Sequence, residues 1–514
     1  MSKLQTLWTL GMMAFALSGA WAQDSSTPPS TGDAPQSAQQ VPVPAYGQDN
    51  ATTPISENPP LSGLDLPSLE PNAAPLSYLQ PGATFSESAM SNVASTLGGG
   101  GIGSVTLAMG SLTLKRLWSH YDLALRYLGG VGYYSSTGQG FQSLQQLDFD
   151  QKITWKRGQL SLRDSFSYLP EGNFGGSYGS LGSQDVGSLG STAFGGFWGG
   201  SSLGNLGLAP RVLNLSLVDI SESLSPRSAI TAAAGYAFMH FYGTDVTGTS
   251  FIGSSQISAQ LGYNRTVTSH TQLALVYGYQ GFDFSVLGAA FHSHIIQGLY
   301  GHRISGRMDF LVGAGPQLTF TNTQSAVCSQ SIVAPYYCQA FGGTLIPTTI
   351  HSTKLGVAAQ AHLRYKFSKT ELDLGYQRFE NSGSGLLAGA QSNLVSGSVS
   401  RPLSRVWSSF IDGGFSSNSL VQPLSEQQLI QCGTPQTSHT SCPANDATSY
   451  NYAFVGGGLH RALGRDFHAY FSYQFNELAF DSSFCNAGSA CNRISNRNVV
   501  TFGLDWTPRP IRID

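Results

Sequence analysis

Apolar residues recur at every second position over long stretches of this chain, most cleanly at Leu355, Val357, Ala359, Ala361, Leu363, Tyr365 and Phe367. The positions between them, Lys354, Gly356, Ala358, Gln360, His362, Arg364 and Lys366, are small, polar or charged. Side chains alternate across a strand, so this period puts one set on each face of a ribbon. Strict alternation over about a dozen residues matches a tilted strand crossing a bilayer, which needs about 9 to 11 residues with a little extension. The same period runs through Tyr121, Leu123, Leu125 and Tyr127; Leu147, Phe149, Ile153 and Trp155; Leu213, Leu215 and Leu217; and Leu273, Leu275, Tyr277 and Tyr279. It returns in Phe467, Ala469, Phe471, Tyr473 and Phe475, and finally in Val500, Phe502, Leu504 and Trp506. Aromatics near the ends of these stripes suit the membrane interface, where a ring with a polar tip meets both lipid and water.

The connections alternate between short and long. Tight turns are expected near Arg157-Gly158, Ser225-Pro226-Arg227, Ser269-His270, Ser305-Gly306, Ser368-Lys369, Pro402-Leu403 and Gly464-Arg465. Between them lie longer segments at 135–140, 171–208, 243–253, 285–289, 322–349, 381–390, 416–448 and 481–492. The spacing predicts an all-β fold, a transmembrane antiparallel β-barrel of about 16 strands, with 14 to 18 open, over residues 119–507. Short turns would face the periplasm and long loops the exterior. Residues 104–118 read as a transition or the start of the first strand, and 508–514 as a short periplasmic tail.

Composition supports a lipid-facing wall. Charged residues make up only 11% of the chain, while mean hydropathy is near neutral at -0.07. Strands that alternate between lipid and lumen average to this, and no later run reaches the ~18 apolar residues of a spanning helix. A net charge of -3 gives no footprint for nucleic acid, so none is expected as a partner. At the N-terminus, Lys3, the apolar run Leu7 to Leu17 and Ala20-Trp21-Ala22 form a signal-peptide pattern over 1–22. Residues 23–103, rich in Pro, Ser, Thr, Gln and Ala, are expected to form a disordered periplasmic arm ending in a glycine hinge. The run from Gly98 to Gly103 satisfies GxGxxG only formally, with no strand before it or helix after it, so no cofactor is expected.

Six cysteines fall as three close pairs, Cys328 with Cys338, Cys432 with Cys442 and Cys485 with Cys491, all in the longer connections. An exported chain meets an oxidising compartment, and local disulfides are the natural pairing among the possible ones. Each would stabilise by about 2 to 3 kcal/mol on a chain-entropy model.

At about 16 strands, side chains no longer fill a barrel, so an aqueous lumen is expected. The faces assigned inward carry Asp122, Arg126, Asp148, Asp150, Lys152, Arg163, Asp309, Lys354, His362, Arg364, Lys366, Glu371, Asp373 and Asp505. Two readings of Lys354, His362, Arg364 and Lys366 beside Glu371 and Asp373 stay open: ion pairs that stiffen the interior, or a tuned selectivity site. The aromatic-bearing segment 171–208 could fold inward and narrow the pore, or lie as a surface loop. His292 and His294 with Asp283 are the nearest thing to a hydrolytic or metal-binding constellation, and a girdle role outweighs both, so an enzyme is not expected.

The alternation, the loop asymmetry and the last strand, Val500-Thr501-Phe502-Gly503-Leu504-Asp505-Trp506, make residues 119–507 resemble bacterial outer-membrane β-barrels of the general porin type. The extension Thr507 to Asp514 departs from the terminal aromatic of that class. The resemblance implies an outer-membrane channel passing small hydrophilic solutes, with outer-membrane lipid around it, a trimer as homo-oligomer, and a periplasmic partner for the arm. A non-conducting structural or export-associated barrel is the alternative.

Overall fold

Alternation of period two becomes a ring of strands in the computed structural model, which describes residues 77–92, 100–135, 140–169, 210–242, 252–284, 289–328, 345–383, 387–421, 449–481 and 493–513. In chain order these are β1 (Tyr78–Ser91), β2 (Ile102–Leu117), β3 (Tyr121–Tyr134), β4 (Gly140–Trp155), β5 (Gly158–Leu169) and β6 (Arg211–Ser225). Next come β7 (Ser228–Phe241), β8 (Ser254–Thr268), β9 (Thr271–Phe284), β10 (Ala289–Ser305), β11 (Met308–Cys328) and β12 (Leu345–Lys366). The ring is completed by β13 (Glu371–Asn381), β14 (Ala390–Pro402), β15 (Trp407–Leu420), β16 (Ser449–Ala462), β17 (Phe467–Phe480) and β18 (Ile494–Trp506), followed by the two-residue β19 (Ile511–Arg512).

Each of β1 to β17 pairs antiparallel with its successor, and β1 also pairs with β18, from Ala83 opposite Trp506 to Met90 opposite Val499. The strands therefore close into a ring, and their backbone groups pair along the ladders between neighbours. Among the described residues no helix is long and apolar enough to cross a membrane.

The barrel is larger than about 16 strands: 18 close the ring, and β19 is an extra strand outside the count. The additional strands are β1 and β2, which occupy the end of the expected arm and the expected transition segment. β1 escapes a hydropathy reading because Pro81 and Gly82 interrupt it and its outer face is only Ala83, Phe85, Glu87 and Ala89. It is held by its neighbours, β2 on one side and β18 on the other. The tail also folds back, with Ile511 opposite Leu79 and Arg512 opposite Tyr78. The signal-peptide reading and the arm up to residue 76 lie outside the described residues.

Strand β8 shows the wall's logic. Gln256, Ser258 and Gln260 are 2%, 3% and 6% exposed, while Ile257 and Leu261 between and beside them are 58% and 54% exposed. Polar side chains turn into the ring and apolar ones out, the reverse of a soluble protein. Short connections gather at one end (118–120, 156–157, 226–227, 269–270, 306–307, 367–370, 403–406 and 463–466) and the longer ones at the other. Strand β6 reverses the expectation: Leu213, Leu215 and Leu217 form a stripe, but they are buried inside, and Val218 and Ile220 face out. Its outer face also carries Asn214 and Ser216, which donate to Asp164 of β5 at 3.3 and 2.5 Å and so satisfy a carboxylate on the outside of the wall.

Candidate functional site

The interior has two kinds of lining. Towards the short-turn end it is charged, because alternation on β2 to β6 turns Lys115, Asp122, Arg126, Asp148, Asp150, Lys152, Arg163 and Asp219 to the same side. Register brings opposite signs together: Asp122 lies opposite Lys152, Arg126 opposite Asp148, and Asp150 opposite Arg163. Lys115 Nζ is 3.8 Å from Asp122, and Arg163 reaches Asp219 at 3.5 Å. Asp148 accepts hydrogen bonds from Ser165 at 2.6 Å and Gln146 at 2.8 Å. Lys115 and Asp219 escaped the sequence reading, Asp219 because it shares a face with three leucines.

On β11 to β13 a second set meets. Arg364 Nη2 donates to Asp309 at 2.6 Å, His362 Nε2 lies 2.8 Å from Asp373, and Lys366 stands opposite Glu371. Lys354 stands apart from these, opposite Thr319 near the other end of β12. Asp505 is at the closing seam, where Thr84 of β1 donates to it at 2.8 Å.

Towards the loop end the lining turns apolar. Met239, Phe241, Phe282, Phe284, Phe291, Tyr450, Tyr452, Leu478 and Phe480 are all buried in one cluster with Leu213, Leu215 and Leu217. Phe282 stacks on Phe291 with centroids 4.5 Å apart.

The connection between β13 and β14 joins this cluster. Asn381 accepts a bond from the Gly383 amide at 2.7 Å, and Gly383 and Gly389 take φ of 74° and 86°, which suit glycine. A Cβ on Gly389 would lie 2.3 Å from the Phe291 ring. Along the wall β10 and β14 are about 19 Å apart at the usual strand spacing, so this connection folds across the interior. Leu387 and Ala390 are buried in consequence.

The cause lies in β12 and β13. Their pairing stops at Ala359 opposite Arg378, although β12 goes on pairing with β11 up to Leu345. Beyond that point β13 passes behind the β11–β12 hairpin, so Glu380 skips β12 and accepts a bond from Thr319 of β11 at 2.7 Å. Asn381 in turn donates to Ser392 at 2.5 Å, Ser392 bonds Asn418, and Asn418 donates to Ser416 at 2.8 Å. This polar chain ties the inward-folded segment to β14 and β15.

No family model and no curated protein matches the chain. Among solved structures, Pseudomonas aeruginosa OccK2 (OpdF) aligns at 9% identity and a TM-score of 0.38, covering 84% of this chain and 98% of its own. Acinetobacter baumannii OccAB2 aligns at 10% identity with a TM-score of 0.38 over the same shares. The ferric-catecholate import receptor Fiu of E. coli K12 aligns at 8% identity and 0.38, covering 84% of this chain and 82% of its own. These neighbours are bacterial outer-membrane barrels; with scores this low, the reading of the wall rests on its own residues.

Some expected features sit elsewhere. His292 and His294 share the outer face of β10, where His292 stacks on Phe320 and His294 Nδ1 is 2.8 Å from the Tyr277 hydroxyl. They belong to an outward aromatic band near the loop end. The segment 171–208 lies outside the described residues, as do all six cysteine side chains; only the backbone of Cys328 is placed, opposite Leu345.

Proposed function

We propose that this chain is an outer-membrane channel for small hydrophilic solutes, wet and charged at its turn end and narrowed by apolar side chains at its loop end. The inverted polarity of the closed wall, seen residue by residue on β8, carries the reading, since only lipid outside and water inside make it stable. An 18-stranded ring is wide enough for an aqueous lumen. The residues expected to line it would act largely as ion pairs that hydrate and stiffen the vestibule, in keeping with the contacts Arg364–Asp309 and His362–Asp373. Selectivity would then be set at the loop end, where apolar constrictions gate by expelling water.

Liposome swelling with sugars of graded size tests this. Wild-type protein should pass only the smallest sugars, and a Phe282→Ser, Phe291→Ser double variant should raise both the rate and the size limit. The apolar cluster also favours a second reading, a non-conducting structural barrel. That reading predicts no swelling from either protein, and such a result would remove the channel.

A further inference from the structure

Where β13 leaves β12, the wall parts, and a groove opens to the outside. Ala314, Pro316, Leu355, Gly356, Val357 and Arg378 line it. Leu355 and Val357 are 75% and 51% exposed, so the groove opens to the lipid side. At about 3.3 Å per residue and a strand tilt near 40°, Arg378 stands roughly 18 Å above the turn end of β13, inside an apolar band about 25 Å tall.

The arginine is the unusual element. It donates to Gln391 Oε1 at 3.3 Å, and its Nε is buried with no hydrogen-bond partner. No ion pair among the described residues includes it. The neighbouring carboxylate on its face, Glu380, is bonded to Thr319 and has Lys354 close by for its charge. A cation at membrane depth is costly unless an anion meets it. The groove thus presents apolar walls leading to a lone guanidinium, which complements an apolar tail ending in a negative head.

We propose that this groove holds a single-chain amphiphile with a carboxylate head, a long-chain fatty acid in class, its carboxylate on Arg378 and its tail along Leu355 and Val357. The groove's apolar lining is limited to a few side chains, which suits one acyl chain over a lipid with several. The site rests on membrane insertion alone, and a barrel that fails to swell liposomes yet binds the acid leaves it standing.

The test uses the folded full-length chain in detergent and a fluorescent sixteen-carbon fatty acid, with its methyl ester as control. Binding of the acid should saturate near one per barrel, and the ester should bind about tenfold or more weakly, the loss expected for one charged hydrogen bond. Arg378→Gln should weaken the acid to the level of the ester. Leu355→Ala should also weaken it by removing part of the wall against which the tail lies. Both variants are checked for folding by their heat-dependent gel mobility, and the acid-to-ester ratio needs no variant. Equal binding of acid and ester, unchanged binding by both folded variants, or displacement of the probe by an equal concentration of a two-chain anionic phospholipid would overturn the proposal.

Discussion

The turn-end and loop-end halves of the barrel interior are built from the same alternating strands and solve opposite problems. In the turn-end half, charges are kept and neutralised in pairs across neighbouring strands, as with Arg364 and Asp309 or Arg163 and Asp219. In the loop-end half, aromatics and aliphatics dominate around a few buried charges such as Arg211 and Arg497, and an inward connection packs Gly389 against Phe291. The first arrangement needs water nearby and keeps the interior open. The second sheds water and crowds it. One chain can hold both because the period of two fixes which residues share a face, while the position along the strand sets how near they come to the residues opposite.

That contrast can be broken at either end. The largest effect is expected from Arg364→Leu, which leaves Asp309 charged and nearly buried; the loss should be about 3 kcal/mol in urea unfolding of the folded barrel. Adding Asp309→Asn should restore more than half of it. Equal losses in single and double variants would show that the turn end is not organised by pairing.

Gly389→Ala comes next. It puts a side chain at positive φ against the Phe291 ring and should cost about 2 kcal/mol, with faster sugar permeation as the segment withdraws. Unchanged permeation would mean that the inward connection does not narrow the pathway. The smallest effect belongs to the outer girdle: Trp155→Phe removes the donor to Glu222, a 2.7 Å bond at an exposed site, and should cost about 1 kcal/mol with no change in permeation.

Much of the wall was legible because lipid and water impose a simple code. The stripe from Leu355 to Tyr365 faces out along β12, as does the series from Val500 to Trp506 on β18. Period alone does not say which face is outside, and so the leucines of β6 turned inward against expectation. β1 was missed because a strand held on both edges by hydrogen bonds needs few large apolar residues; Ser86 and Ser88 face in, and Glu87 on the outside bonds Thr106. The inward connection was hidden for a different reason. Its decisive contact joins Gly389 to Phe291, nearly a hundred residues earlier in the chain, and only the closed ring brings them together. Asp309 and Arg364 were both recognised as candidates, but their bond depends on the register of β11 against β12.

The alternation of the wall between lipid and interior can be read directly on β8. Single spin labels placed in turn from residue 257 to 263, after the native thiols are blocked, should show oxygen accessibility that is high at Ile257, Ala259, Leu261 and Tyr263 and low at Ser258, Gln260 and Gly262. Uniform accessibility along the segment, or the opposite phase, would contradict a barrel with lipid outside and polar groups within.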